Sequence, residues 1–289
     1  MVKKFIKADN GVVGIVVAVL LIGLIVAVVS LIQAVYVPKW MEEMEAEHMD
    51  LVVTQFTQLK SAIDTQVANE QILTPIASPI TLGNKELPYL MSLRAYGSLE
   101  ILSKKYSITV DNNSGNQLNE SFGIIKYSSM NGYFIDQSFI YENGAFITSQ
   151  REGNMLSMKP SIYIEKDVDA QEAVINFTMV KITPIGGKTN GGGYGTTSIL
   201  TEYNTTIYDY ENNTELQIDN VTNINIYTYY SNAWSIFINS ILKNKFAESE
   251  FFINTQTNNM VNIQFINTGI TLKYKIVEIY AQIGPGWVE

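Results

Sequence analysis

The chain has no cysteine, a single histidine, only two arginines (Arg94 and Arg151), and no charged residue from Gly11 to Val37. Without cysteine there is neither a disulfide framework nor a thiolate that could act as nucleophile or metal ligand. The one imidazole, His48, falls on the apolar stripe of a predicted helix, where packing is its expected role rather than proton transfer. Lysine and arginine total 19 against 28 acidic residues, for a formal charge of -9 and a pI of about 4.8. No basic cluster is left to neutralise phosphates, so nucleic acid is excluded as a partner. Gly187-Lys188-Thr189 lacks a phosphate-binding loop, because the place five before Gly187 is Ile182 and not glycine. The run "DNNSGNQLNE" from Asp111 has its glycine one place early and Glu120 misplaced for a calcium loop, and reads as a solvated turn. No nucleophile and base, and no metal ligand set, can be assembled from these residues. The sequence therefore points away from an enzyme, and no cofactor or metal is expected.

What the chain does have is a long uncharged opening. As a helix the run from Gly11 to Val37 measures about 40 Å, against a hydrocarbon core of about 30 Å, so it can cross a bilayer with tilt or with one end protruding. It is about twice as long as the apolar region of an ordinary cleaved secretory signal. Lys3, Lys4 and Lys7 precede it and "EEMEAE" follows it. That asymmetry predicts a cytoplasmic N-terminus and an extracellular C-terminal domain, with Tyr36 and Trp40 near the outer headgroups. Small residues mark two sides of the run, Gly14 with Ala18 and, about 180° away at about 100° per residue, Gly23 with Ala27, Ser30 and Ala34. Two such faces suit a helix surrounded by copies of itself. The triplet Asn-x-Ser/Thr at Asn112, Asn119, Asn176, Asn204, Asn212 and Asn220 supplies candidate N-glycosylation acceptors, all on the side read as external.

Beyond the run, Met41, Met44, His48, Leu51, Val52, Phe56, Leu59 and Ile63 recur at helical spacing, with charges and glutamines expected on the opposite face. The whole opening then reads as one long helix bent at Pro38. After "TPIASPITLGNKELP" the period changes to two. Runs such as "FGIIKYSS", "AVINFTMVKITPI" and "MVNIQFINTGITLKYKIVEIYAQIG", separated by Asn-Gly or Gly-rich turns, predict a β-sandwich or a strongly curved antiparallel sheet. One short helix is expected from Ser231 as N-cap through "SNAWSIFINSILKNKF", and "GGKTNGGGYG" reads as a mobile hairpin loop. The fold class is α+β, with residues 9–37 as membrane or filament-core helix, 38–68 as its amphipathic extension, and 69–289 as an external β-rich domain. A chain trimmed to begin near Leu51 is expected to be soluble and β-rich.

Lys7-Ala8-Asp9-Asn10-Gly11-Val12-Val13-Gly14-Ile15 resembles the class III signal of archaeal type IV pilins and archaellins. In those families a short basic leader is removed and the apolar helix begins a few residues later. The resemblance implies residues 1–8 as leader, with a cut between Ala8 and Asp9 directed by Lys7, and a reserve cut between Gly11 and Val12. "EAEHMDLVVTQFTQLKSAID" and "SFIYENGAFITSQREGNMLSMKP" are similar to segments of archaeal pilin-like surface proteins with large external domains. Val13, not glutamate, stands at the fifth position counted from Asp9, a departure from bacterial pilins. The family's partners would be a prepilin peptidase, the membrane, and copies of itself or other pilins. The function implied is that of a structural subunit of a pilus-like filament. The alternative is a membrane-anchored adhesin or receptor that does not polymerise.

Overall fold

The computed structural model describes residues 9–71, 75–84, 95–167, 172–207, 216–255, 259–266 and 269–284. Of the predicted leader and cut site, Lys7 and Ala8 lie outside them, as does Asn212; for Asp9, Gly11 and Val12 the helical backbone is described. The opening is helical throughout: α1 spans Asp9–Leu31, a π-helical turn spans Ile32–Tyr36, and α2 spans Val37–Asn69. The helix does not stop at Pro38. Pro38 has no N–H to offer the preceding turn, and the irregularity is taken up just before it, where the Val37 N–H reaches back five residues to the Ile32 carbonyl.

The remainder is a mostly β domain with one short helix, α3 (Ser231–Lys243). Its strands are β1 (Ile76–Thr81), β2 (Tyr96–Asn112), β3 (Gly115–Met130), β4 (Gln137–Glu142), β5 (Ala145–Gln150), β6 (Gly153–Met158), β7 (Ile162–Asp167), β8 (Glu172–Pro184), β9 (Asn190–Gly193), β10 (Thr196–Ile207), β11 (Leu216–Ile218), β12 (Val221–Tyr227), β13 (Phe251–Asn254), β14 (Met260–Phe265) and β15 (Gly269–Ile283). They form one continuous sheet with the main order β1-β10-β15-β8-β3-β2-β12-β14-β13. The described pairings are antiparallel except β8 with β15, which run parallel. A parallel pair needs a long return, and β9 to β14 with α3 supply it.

Two apolar cores lie on opposite faces of this sheet, and the long strands serve both. On β15, Ile270, Leu272, Tyr274 and Ile276 join one core, while Val277, Ile279, Ala281 and Ile283 join the other. Side chains alternate with period two, so the change of parity is a change of face. The same switch falls between Met179 and Val180 on β8, which pair with Ile276 and Val277, and between Ile124 and Ile125 on β3. The sheet halves meet there through a single pair, Gly123 with Ile182. A Cβ on Gly123 would collide with the Ile182 carbonyl oxygen, so this crossing of backbones requires glycine.

α2 covers one core with Met49, Val52, Phe56, Leu59 and Ile63, and Phe56 packs among Tyr127, Phe139 and Phe146 at ring-centroid distances of 6.3, 5.9 and 5.7 Å. α3 covers the other with Ala233, Trp234, Phe237, Ile238 and Leu242. Several expectations change here. Leu51 faces solvent, and the buried side of α2 includes Glu45, Gln55, Lys60 and Gln66, because the domain supplies polar partners for most of these side chains. Gln55 donates to Thr81 and accepts its N–H, Gln66 donates to the Thr201 carbonyl at 2.7 Å, and Lys60 pairs with Asp64 at 2.6 Å. Ser231 is the first residue of α3 rather than its cap. The residue before it, Tyr230, is positioned by donating its N–H to Thr228 Oγ1 at 3.0 Å. The Gly-rich stretch is not a free loop, since β9 pairs with Gly97–Glu100 of β2.

Candidate functional site

The part of the molecule that its own fold leaves unused is the lower half of the long helix. Val13 to Leu31 are exposed without exception, and so are Gln33 to Tyr36, while from Val37 upward one side of the helix is covered by the domain. α1 is apolar around its full circumference, the pattern of a helix meant for a fully apolar surround rather than for one face of a globular core. Val13–Asn69 is the one helix among the described residues that is long and apolar enough to cross a membrane, and its apolar window has no buried residue.

The predicted packing residues Gly14, Ala18, Gly23, Ala27, Ser30 and Ala34 all lie on this uncovered segment. A Cβ added at Gly14 or Gly23 would meet nothing within 4 Å, so no described element of this chain accounts for the small side chains. Tyr36 and Trp40 sit together at the end of the segment, with ring centroids 6.1 Å apart.

At the entry into the domain, polar side chains of α2 tie helix to sheet. Glu45 accepts the backbone N–H groups of Gly132, Tyr133 and Phe134 at 3.0, 2.8 and 2.6 Å. His48 Nε2 lies 3.0 Å from Tyr127 Oη and 3.3 Å from the Leu82 carbonyl, which also accepts the Tyr127 hydroxyl at 2.8 Å. Burial lowers the His48 pKa, opposed by the Leu82 hydrogen bond and by the charge of Glu45. These are fixed structural bonds, consistent with the packing role expected of His48.

Besides Glu45, the interior holds a second acid that no sequence pattern marks. Glu142, at the end of β4, is fully buried, and its Oε1 accepts both Thr228 Oγ1 and Trp234 Nε1 at 2.7 Å. Its Oε2 has no hydrogen-bond partner among the described residues. Desolvation pushes its pKa from 4.5 up to about 7, against the lowering effect of the Thr228 and Trp234 bonds. The sequence signal at this place is the Asn143-Gly144 turn, formed with φ of 46° and 79°. Nothing local says that this hairpin tip is buried, with Asn143 Oδ1 accepting the Val180 N–H at the face switch of β8. Among the described residues no cluster of three or more His, Cys, Asp or Glu is placed to hold a metal ion.

The glycosylation triplets divide. Asn119 and Asn220 are exposed, Asn220 in a turn with φ of 55°. Asn112 accepts the Ser114 N–H and donates to the Asp219 carbonyl, and Asn204 donates to Glu278. Asn176 is half-buried in β8 between β7 and β15.

A family of unknown function, DUF7289, matches residues 11–265 of the chain, so the protein belongs to that family. No curated protein and no solved structure matches it.

Proposed function

We propose that this DUF7289 protein is a structural subunit of a type IV pilus-like cell-surface filament, with no enzymatic role. One observation carries the reading: a single helix, Val13–Asn69, has its upper half built into a domain and its lower half bare and apolar on every side. Such a helix needs an apolar environment from outside its own chain. A bilayer supplies it first, with the lysines before the run on the cytoplasmic side and the β domain outside. Removal of the leader up to Ala8 then frees the helix to exchange lipid for neighbouring stems, where Gly14, Gly23 and Ala27 allow close backbone approach. The peptidase and the other copies are the partners this requires. In that location Asn119 and Asn220 are the described acceptors open to a glycan.

Shearing of producing cells, with electron microscopy and N-terminal sequencing of the pelleted material, tests the reading. Chains that begin at Asp9 and lie in fibres are the expected result. Chains that retain the leader and leave the cell only in detergent overturn it, in favour of an anchored adhesin or receptor that does not polymerise.

A further inference from the structure

The loop joining β3 to β4 is a built surface at the point where the stem enters the domain. Glu45 holds it from the helix side by accepting three successive N–H groups, from Gly132, Tyr133 and Phe134. Asn131 braces it from within: its N–H donates to Asp136 Oδ1 and its Nδ2 to the Ile135 carbonyl, both at 2.8 Å, and Ser129 bonds Asn131 Oδ1. A loop so fixed has little freedom to fold its side chains inward. Met130 and Ile135 are nevertheless 68% and 52% exposed.

The height of this loop on the helix matters. The domain-facing side of α2 is already buried at Val37 and Met41, 3% and 0% exposed, so the base of the domain reaches down to the last residue of the apolar run. Trp40 lies one turn above Val37, and Glu45 follows Trp40 by about 7.5 Å at 1.5 Å per residue. If the run is drawn into lipid, the base of the domain arrives at the headgroup layer. The run is about 10 Å longer than a hydrocarbon core, an excess that a tilt of about 40°, the upper end of the usual range, absorbs.

The geometry points to a second membrane contact: Met130, at the end of β3, and Ile135, on the braced loop that follows, rest in the outer bilayer interface with Tyr36 and Trp40 and fix how the domain stands on the membrane. This rests on the reading of the stem as a membrane anchor. The exposed charges on the same part of the helix are one lysine, Lys39, against Glu42, Glu43 and Glu47, and the loop adds exposed Asp136, so the balance is acidic and the fitting surface is zwitterionic rather than anionic. Apolar side chains joined to an aromatic pair suit that layer, where one end of a side chain meets hydrocarbon and the other water.

Because the chain has no cysteine, single substitutions to cysteine report one position each. The full chain, one copy per phosphatidylcholine nanodisc, is labelled with an environment-sensitive fluorophore at Met130→Cys, Ile135→Cys, Val26→Cys or Ile236→Cys. Quenching by nitroxide lipids is then read for each. Expected are a blue shift and loss of emission at positions 130 and 135, deeper quenching at 26, and no change at 236 on α3. Quenching at 26 with none at 130 and 135 overturns the second contact and leaves the anchor standing. No quenching at 26 overturns both. A change at 130 and 135 only when several chains share a disc overturns the lipid contact in favour of a contact between copies.

Discussion

Glu142→Gln keeps the shape of the buried side chain and removes its charge, and the structure fixes how stability should respond. Thr228 and Trp234 both donate to Oε1, which the glutamine carbonyl replaces; Oε2, the unpartnered oxygen, becomes the amide nitrogen. In the native chain burial raises the carboxyl pKa from 4.5 to about 7. The folded state thus binds this proton more tightly than the unfolded state, and the contribution of Glu142 to stability is most favourable below 4.5. As pH rises from 4.5 to about 7 the unfolded chain releases this proton first, and the contribution of Glu142 to stability falls across that window and then levels off. At about 1.4 kcal/mol per pKa unit the loss is about 3 kcal/mol. The variant carries no such penalty. Guanidinium unfolding of both full chains in detergent, followed by Trp fluorescence from pH 4 to pH 9, should show near-equality at pH 4. At pH 8 the variant should lead by about 3 kcal/mol. His48 titrates in both chains and cancels from the difference. A variant equally destabilised at every pH would mean that the carboxylate is not the penalised species, and would refute the assignment.

Four further outcomes follow from the same contacts. A chain beginning at Val37 should stay folded, whereas one beginning at Leu51 loses the buried Met41, Glu45, His48 and Met49 and should melt at lower temperature by circular dichroism; identical melting would show that the lower turns of α2 are dispensable. Phe56→Ala, in the middle of the aromatic cluster, should cost about 3–5 kcal/mol, and Leu51→Ala less than about 0.5 kcal/mol, both by chemical unfolding. Gly123→Ala places a methyl group against the Ile182 carbonyl and should cost about 1–3 kcal/mol in the same assay, since only backbone can give way. On the filament proposal, Gly23→Leu combined with Ala27→Leu should leave membrane insertion intact and lower the yield of sheared fibres, because added volume holds neighbouring stems apart.

The elements of the fold were legible wherever physics acts through neighbours in the chain. The change of period after "TPIASPITLGNKELP" separates the helix from the strands that follow it, although β1 lies inside that stretch and carries no such signal; Asn143-Gly144 marks its hairpin because two successive positive φ angles favour those residues. Even the face switch leaves a trace, in the apolar doublets Ile124-Ile125, Met179-Val180 and Ile276-Val277, where strict alternation breaks. A doublet alone does not say which core each half enters. Leu51 shows the converse failure: it fits the helical stripe, yet the domain does not extend over its side of α2.

The sequence by itself determined that the first part of this protein is a long apolar helix, because an uncharged run of that length has no other way to satisfy its backbone in an apolar surround. It also determined that a β domain follows, because period-two alternation places side chains on two faces whatever lies beyond them. Only the tertiary structure decided which polar residues are buried. Glu45, Gln55, Gln66 and Glu142 look like surface residues in sequence. Their burial depends on donors and acceptors brought from far along the chain: Phe134 for Glu45, Thr81 for Gln55, Thr201 for Gln66 and Trp234 for Glu142. A buried polar group is tolerable only where partners converge on it, and convergence is a property of the folded chain that no local pattern records.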